Sequence, residues 1–224
     1  MKHLFILTLI LITSMTTSCS PRWPHRYDTL APRAPFHGFG KVVVLVRDNR
    51  AEVLNGLRNP QDVGTVESMG KTFPIEIATG HAFAQDVGVS VCNSLIGKGF
   101  ECVPLVSGRS EIAEELDYIK ETQAPVRTLF VTVEEWNVEV FVKTRVQYNF
   151  ALKVFNANGE TKASLNTAGE EQLGKVTTLN PAKAASRSAP AVLNNVLSSL
   201  LSHSQVISSM NMVRDIDVLG SRYK

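Results

Sequence analysis

The chain has 224 residues, of which 44% are hydrophobic and 20% are charged. This composition excludes a disordered chain, a collagen-like repeat and a polytopic membrane protein. The formal net charge is only +2, so nucleic acid is not expected as a partner.

The first eighteen residues have the pattern of an export signal. A short basic head, residues 1–3, precedes a run at residues 4–12 that is apolar except for Thr8. This run is far shorter than the roughly 20 residues that cross a bilayer as a permanent helix, and it has the length of a signal-peptide core. We therefore predict that residues 1–18 are a signal peptide.

A cysteine follows the small polar residues that end this signal. Thr16, Thr17, Ser18 and Cys19 resemble a bacterial lipobox, although threonine stands where leucine is usual. In that motif the cysteine receives a diacylglyceryl group and a further acyl chain such as palmitate. The alternative is ordinary cleavage at small residues. We predict lipidation of Cys19, and Ser20 after it favours the periplasmic face of the outer membrane.

Residues 19–40 are predicted to be a tether between the membrane and the folded domain. The segment is rich in Pro and Arg, its prolines block regular helix, and it lacks the alternation of a strand. Its Arg side chains either contact an anionic lipid surface or belong to a solvated linker.

The folded domain is predicted over residues 41–207. Strands are predicted where β-branched runs or alternating patterns occur, and helices where apolar residues recur every three to four positions. The predicted strands cover residues 41–46, 72–77, 100–105, 127–136, 144–155 and 160–172. The predicted helices cover residues 80–98, 110–122 and 181–202. Residues 208–224 are predicted to be a flexible tail.

This order of elements predicts a single α+β domain with a mixed, mostly antiparallel sheet and helices packed on one face. Residues 41–46 form a continuous β-branched run, which is typical of a strand buried on both faces. Residues 144–155 instead alternate between apolar and polar, and Asn158 and Gly159 predict a tight turn into the next strand.

Two further cysteines lie within the predicted domain. Cys92 is expected on a helix and Cys102 on the strand that follows it. If Cys19 is acylated, an even pair remains in an oxidising compartment and could form a disulfide. The alternative is two small apolar core residues, and the spacing does not decide. The five histidines are scattered, so we predict no metal site and no cofactor.

Asp48 and Arg50 are the candidate residues for a ligand or partner loop. They follow the first strand, and the carboxyl end of a central strand is where open α/β sheets often bind ligands. The favoured alternative is that Asp48 caps a turn and Arg50 pairs with it. Trp136 and Phe141 are candidates for an apolar partner patch, although core packing is favoured.

No set of residues predicts catalysis. Ser68 and Lys71 have the spacing of a serine-enzyme pair, but Gly70 argues against the helix that such a pair needs. Glu134 and Glu135 are adjacent on a predicted strand, so we expect their side chains on opposite faces of the sheet. We therefore predict that the protein is not an enzyme.

The order of elements and a few short motifs resemble a known family. The motifs are the valine-rich strand ending at residues 48–50, the helix ending at residues 99–100, the strand at residues 129–136, the hairpin after it and the helix at residues 192–201. They are similar to those of YajG-type bacterial envelope lipoproteins. The resemblance implies an envelope lipoprotein without an assigned enzymatic activity, and so a location more than a mechanism. Our hypothesis is a non-catalytic, lipid-anchored protein whose periplasmic domain contacts another envelope component. The alternative is a periplasmic small-ligand binder or hydrolase, which needs a concave pocket with converging polar groups.

Overall fold

The computed structural model describes residues 24–68, 70–108, 111–141, 143–175 and 181–211. The predicted signal peptide, Cys19 and most of the predicted tail lie outside these residues. None of the helices in the described ranges is long and apolar enough to cross a bilayer.

Strands and helices are interspersed along the described chain. The strands are β1 (Lys41–Asp48), β2 (Asp62–Ser68), β3 (Lys71–Glu76), β4 (Glu101–Val106), β5 (Arg127–Val140), β6 (Lys143–Asn156) and β7 (Thr161–Lys175). The helices are α1 (Ala51–Leu54), α2 (Phe83–Ile96), α3 (Ile112–Gln123), α4 (Pro181–Leu201) and α5 (Ser204–Met210). All the predicted strands and helices are found, and β2, α1 and α5 are additional.

The strands form one sheet that forks at β5. On one edge β5 pairs with β6 along its whole length, and β6 pairs in turn with β7. On the other edge β1 runs parallel to residues 127–133, and β2 runs parallel to residues 138–140. β4 extends the first branch and β3 extends the second. The fork therefore lies between the end of β1 and the start of β2.

The single α+β domain and the mixed sheet are confirmed, with parallel and antiparallel strand pairs in equal number among the described strands. Within the described ranges, β1–β4, β1–β5 and β2–β5 are parallel, and β2–β3, β5–β6 and β6–β7 are antiparallel. β4 and β5 run parallel to β1 because α2 and α3 each return the chain to the end of the sheet where β1 starts.

Helices cover both faces of the sheet, not one as predicted. α2, α4 and α5 contribute to the main core, together with Val42, Val44 and Val46 of β1. α3 packs on the opposite face, where Ile119 joins a second cluster with Val43 and other residues of β1 and β5. This two-sided burial explains why the first strand has no alternating pattern.

A β-bulge interrupts β5 at the fork. The register with β6 shifts between Val133 and Glu135, so Glu134 is an extra residue. Val133 faces the main core before the bulge and Trp136 faces it afterwards. Both glutamates are exposed and line one cavity, so the expected separation onto opposite faces is wrong. Bulges are known to re-aim side chains in this way.

From residue 24 onward, the predicted tether is part of the domain. We call residues 24–40 the N-terminal strap. Burial alternates along residues 31–37, with Pro32, Ala34 and Phe36 buried. The first residues of the predicted tail also belong to the domain, since α5 continues to Met210, which is fully buried. The packed domain therefore extends at both ends beyond residues 41–207.

Candidate functional site

The strap begins in a buried cluster next to the fork. Tyr27 is fully buried, and its ring centroid lies 5.2 Å from that of Phe83 and 5.8 Å from that of Trp136. Trp136 Nε1 donates to the Tyr27 hydroxyl oxygen at 3.3 Å, and His25 Nδ1 lies 3.0 Å from the same oxygen. Burial raises the pKa of the Tyr27 hydroxyl, which therefore stays protonated.

Polar bonds tie the strap to two helices of the main core. On α2, Ser90 Oγ donates to the Tyr27 carbonyl oxygen at 2.6 Å, and Asn93 Nδ2 donates to two other strap carbonyls at 2.9 and 3.0 Å. On α4, Ser198 Oγ accepts from the Arg33 N–H at 2.8 Å. The strap therefore links α2 to α4.

His25 is buried in this cluster as a neutral group. Its side chain is fully buried, and its Nε2 atom has no hydrogen-bond partner within the described residues. Burial lowers the pKa of His25 from 6.5 to about 4. A proton on this ring would add a charge where the surrounding Tyr27, Trp136 and Ile77 offer little compensation.

Acidification is expected to destabilise the protein through His25. The unfolded chain binds a proton below about pH 6.5 and the folded chain only near pH 4, so stability falls as the pH drops between these values. The full difference is about 3 kcal/mol, because each pKa unit corresponds to about 1.4 kcal/mol. Asp86 opposes this loss, since burial raises its pKa and the folded state then gains protons on acidification.

Urea unfolding between neutral pH and pH 4 measures this effect. The variant His25→Asn should lose less stability over this interval than the natural protein, by about 3 kcal/mol. His37→Asn is the control, because His37 is exposed on the strap. Equal losses in the natural protein and in His25→Asn would contradict the assignment.

Arg50 lies in the fork and is almost fully buried. Its Nε and Nη2 atoms donate to the two carboxylate oxygens of Asp48 at 2.9 and 2.7 Å. Nη1 also donates to the main-chain oxygen of Asp62 at 2.7 Å, and Nη2 donates to that of Pro60 at 3.2 Å. The guanidinium carbon lies 5.2 Å from the ring centroid of Phe83. This local pairing joins the end of β1 to the start of β2.

A cavity of about 290 Å³ opens beside this ion pair, and we call it the fork cavity. Its polar lining comprises Arg50, Glu52, Arg58, Glu134, Glu135, Asn137 and Asn149. Arg58 is neutralised by Glu52 at 2.7 Å, whereas Asn149 Oδ1 is buried with no partner in the described chain. Carboxylate and amide oxygens are acceptors, so the cavity suits a ligand that presents N–H or O–H donors.

A larger crevice of about 610 Å³ lies at the carboxyl ends of β1 and β4. Its apolar lining residues are Val53, Leu54, Pro60, Ala82, Ala84 and Val106. Arg47 at this edge donates to Ser107 Oγ at 2.8 Å and to Glu115 at 2.8 Å. After β1 the chain passes through α1, β2 and β3 before α2 packs on one face, whereas after β4 it enters α3 on the other face. The crevice therefore lies where open α/β sheets often bind ligands.

The cysteines of the domain form a disulfide. Cys92 on α2 is joined to Cys102 on β4, with their Cα atoms 5.3 Å apart. The bond ties α2 to the strand that follows it. The chain has three cysteines, so Cys19 is the one left over, and it lies outside the described residues.

The two aromatic residues considered for a partner patch do not combine into one surface. Trp136 is fully buried and stacks on Phe83 with ring centroids 5.5 Å apart. Phe141 follows β5 and is 61% exposed. No group of three or more His, Cys, Asp or Glu in the described ranges could hold a metal ion.

One face of β6 and β7 carries a broad polar surface, which we call the open face. Cross-strand register places its side chains together. They are Arg145, Gln147, Lys153, Ser164, Asn166, Glu170 and Gln172. Most of them are exposed, whereas the helices α4 and α5 pack on the main-core side. The alternating pattern of the hairpin predicts such a face, but only the register shows which residues are neighbours.

No family model and no curated protein matches the sequence. Among solved structures, a DUF330 protein from Xanthomonas campestris is 11% identical, with a TM-score of 0.49 and coverage of 80% of this chain and 92% of its own. A lipoprotein from Neisseria meningitidis is 10% identical, with a TM-score of 0.34 and coverage of 72% and 94%. A PelC dodecamer from Paraburkholderia phytofirmans is 14% identical, with a TM-score of 0.33 and coverage of 78% of this chain and 95% of its own.

Proposed function

We propose that the protein is a non-catalytic envelope lipoprotein of the YajG type, anchored through an acylated Cys19 at the periplasmic face of the outer membrane. The observation that carries this proposal is the disulfide between Cys92 and Cys102. Disulfides persist in oxidising compartments, in agreement with the export signal at residues 1–18. With two cysteines joined, the remaining one stands directly after that signal. Two or more acyl chains anchor durably, since each buried CH₂ contributes about 0.8 kcal/mol.

The arrangement of the polar residues supports a role without catalysis. Asp48 and Arg50 neutralise each other in the fork. Ser68 and Lys71 face each other across the β2–β3 hairpin and do not share a helix turn, so Lys71 lacks the position from which an amine activates a serine.

The open face supports contact with another envelope component. β7 is a strand of 15 residues that pairs with β6 on one edge. An edge strand offers N–H and C=O groups to a partner, and mixed charges such as Arg145 and Glu170 give such a contact specificity. We place the partner surface on the open face.

Metabolic labelling with an alkyne analogue of palmitate, followed by membrane fractionation, tests the anchor. The natural protein should carry the label and sediment with outer membranes, whereas Cys19→Ala should be unlabelled and released with the periplasm. The double variant Cys92→Ala/Cys102→Ala is the matched control and should keep the label. A mature N-terminal peptide without acyl mass would overturn the proposal.

A second candidate function, binding of a small polar ligand, is favoured by the unpartnered Oδ1 atom of Asn149 in the fork cavity. The cavity volume of about 290 Å³ is at the low end of ligand pockets, which span about 300–1,000 Å³. We therefore rank this function second.

A further inference from the structure

We infer that the domain sits directly on the bilayer surface, with the start of the N-terminal strap and the loop before α2 facing the lipid. This inference rests on the proposed anchor at Cys19. The exposed residues there are Pro24, Arg26, Ala78 and His81, and we call them the anchor-side patch. Its occupant is the lipid surface itself.

The patch is a fixed part of the fold, because the strap pairs with the chain just after β3. His25 N donates to the Glu76 carbonyl oxygen at 2.9 Å, and Ala78 N donates to the His25 carbonyl oxygen at 2.8 Å. The neighbouring Tyr27 is fully buried. Pro24 is therefore attached to a rigid surface, not to a free tether.

The chain between the anchor and this surface is short. Only residues 20–23 separate Cys19 from Pro24, and five residue steps span at most about 18 Å. A domain of this size has a diameter of about 40 Å. The anchor-side patch must therefore lie on the half of the domain that faces the bilayer. A tether reaching to residue 40 would have left the orientation free.

The chemistry around the patch suits a membrane interface. Arg22 and Trp23 lie in the short segment after the anchor, and arginine and tryptophan side chains are typical of the lipid headgroup region. The side chain of Arg26 is 64% exposed. Arg26 and Asp28 form an ion pair at 2.9 Å and Asp86 is fully buried, so these groups add no strong net charge that would oppose an anionic surface.

Fluorophore quenching on vesicles tests the orientation. The lipidated full-length protein would be labelled at Gln85→Cys, on the exposed first turn of α2, or at Asn158→Cys, in the β6–β7 turn. Asn156 next to that turn pairs with Arg127, about 30 Å along β5 from Trp136, whose ring packs on Tyr27 of the strap. The native disulfide and the acylated Cys19 leave the introduced cysteine as the thiol to label.

Vesicles of neutral and anionic phospholipid carrying a headgroup nitroxide should quench the label at position 85 about threefold more than the label at position 158, since only the former lies near the surface. Inserting about twenty Gly/Ser residues after Ser20 should remove most of this difference, because such a linker leaves the domain free to turn. Equal quenching at the two positions, or an unchanged difference after the insertion, would overturn the inference.

Flotation of the same vesicles distinguishes a failure of the proposed lipid anchor from a failure of the proposed orientation. Protein that fails to float with the lipid would contradict the anchor. Protein that floats but shows equal quenching at the two positions would contradict only the orientation.

Discussion

Replacing Arg50 by alanine is expected to lower the free energy of unfolding by about 3–5 kcal/mol, the usual cost of leaving one charge of a buried pair without its partner. The Asp48 side chain is 11% exposed and would keep its carboxylate in the fork without the guanidinium. The main-chain oxygens of Asp62 and Pro60 would also lose their donors, which loosens the junction between β1 and β2. Urea unfolding followed by circular dichroism measures the loss.

An exposed ion pair provides the control for this prediction. Arg145 lies 3.8 Å from Glu139 and 3.6 Å from Glu170, and its side chain is 47% exposed. Arg145→Ala should therefore cost less than about 1 kcal/mol. Adding Asp48→Asn to Arg50→Ala should restore part of the lost stability, because it removes the unpaired charge. Equal costs for Arg50→Ala and Arg145→Ala would contradict the buried-pair assignment.

Replacing Trp136 by alanine is expected to cost about 3–5 kcal/mol as well, because the substitution leaves a large cavity in the main core. The indole is fully buried, with ring centroids 5.5 Å from Phe83 and 6.1 Å from Phe150. The Tyr27 hydroxyl would also lose a donor, so the start of the strap should loosen. Thermal unfolding and proteolysis of the strap measure these effects.

Phe141→Ala is the matched control for Trp136→Ala. Phe141 is 61% exposed, so its removal should change the stability by no more than about 0.5 kcal/mol. A small cost for Trp136→Ala would show that the indole is not a core residue.

The sequence predicts the strands and long helices well where the pattern of burial is simple. The hairpin of β6 and β7 faces the core on one side, so its alternation is visible. β1 is buried on both faces, and its continuous apolar run indicated this correctly. A strand that is buried on both faces needs elements packed on both faces of the sheet. The continuous apolar run of β1 therefore contradicts the expectation of helices on one face only. α3 packs on the second face.

The fork could not be predicted, because it depends on long-range backbone contacts. Gly64 is a turn signal when considered alone, but it lies within β2. A Cβ at Gly64 would lie 1.9 Å from the Val138 carbonyl oxygen, so glycine is needed where β2 approaches β5. The bulge at Glu134 likewise inserts one residue without a local signal, and it brings two carboxylates to the fork cavity.

The packing of the strap could not be predicted, because its buried and its exposed residues are of similar types. Pro32 and Ala34 are buried, whereas Ala31 and Pro35 are exposed, so polarity does not mark the alternation. The segment was identified correctly as non-helical, but its partners lie far away in the chain, and composition alone cannot show them.

The strap also bears on how the protein completes its folding. The bond between Arg33 and Ser198 joins residues 165 positions apart, so the strap near the start of the described chain docks onto α4 near its end. Contacts of such separation form late, because their loop must close first. The main core therefore cannot close completely until α4 has formed and the strap has reached it. The two ends of the domain are expected to become ordered together in that late step.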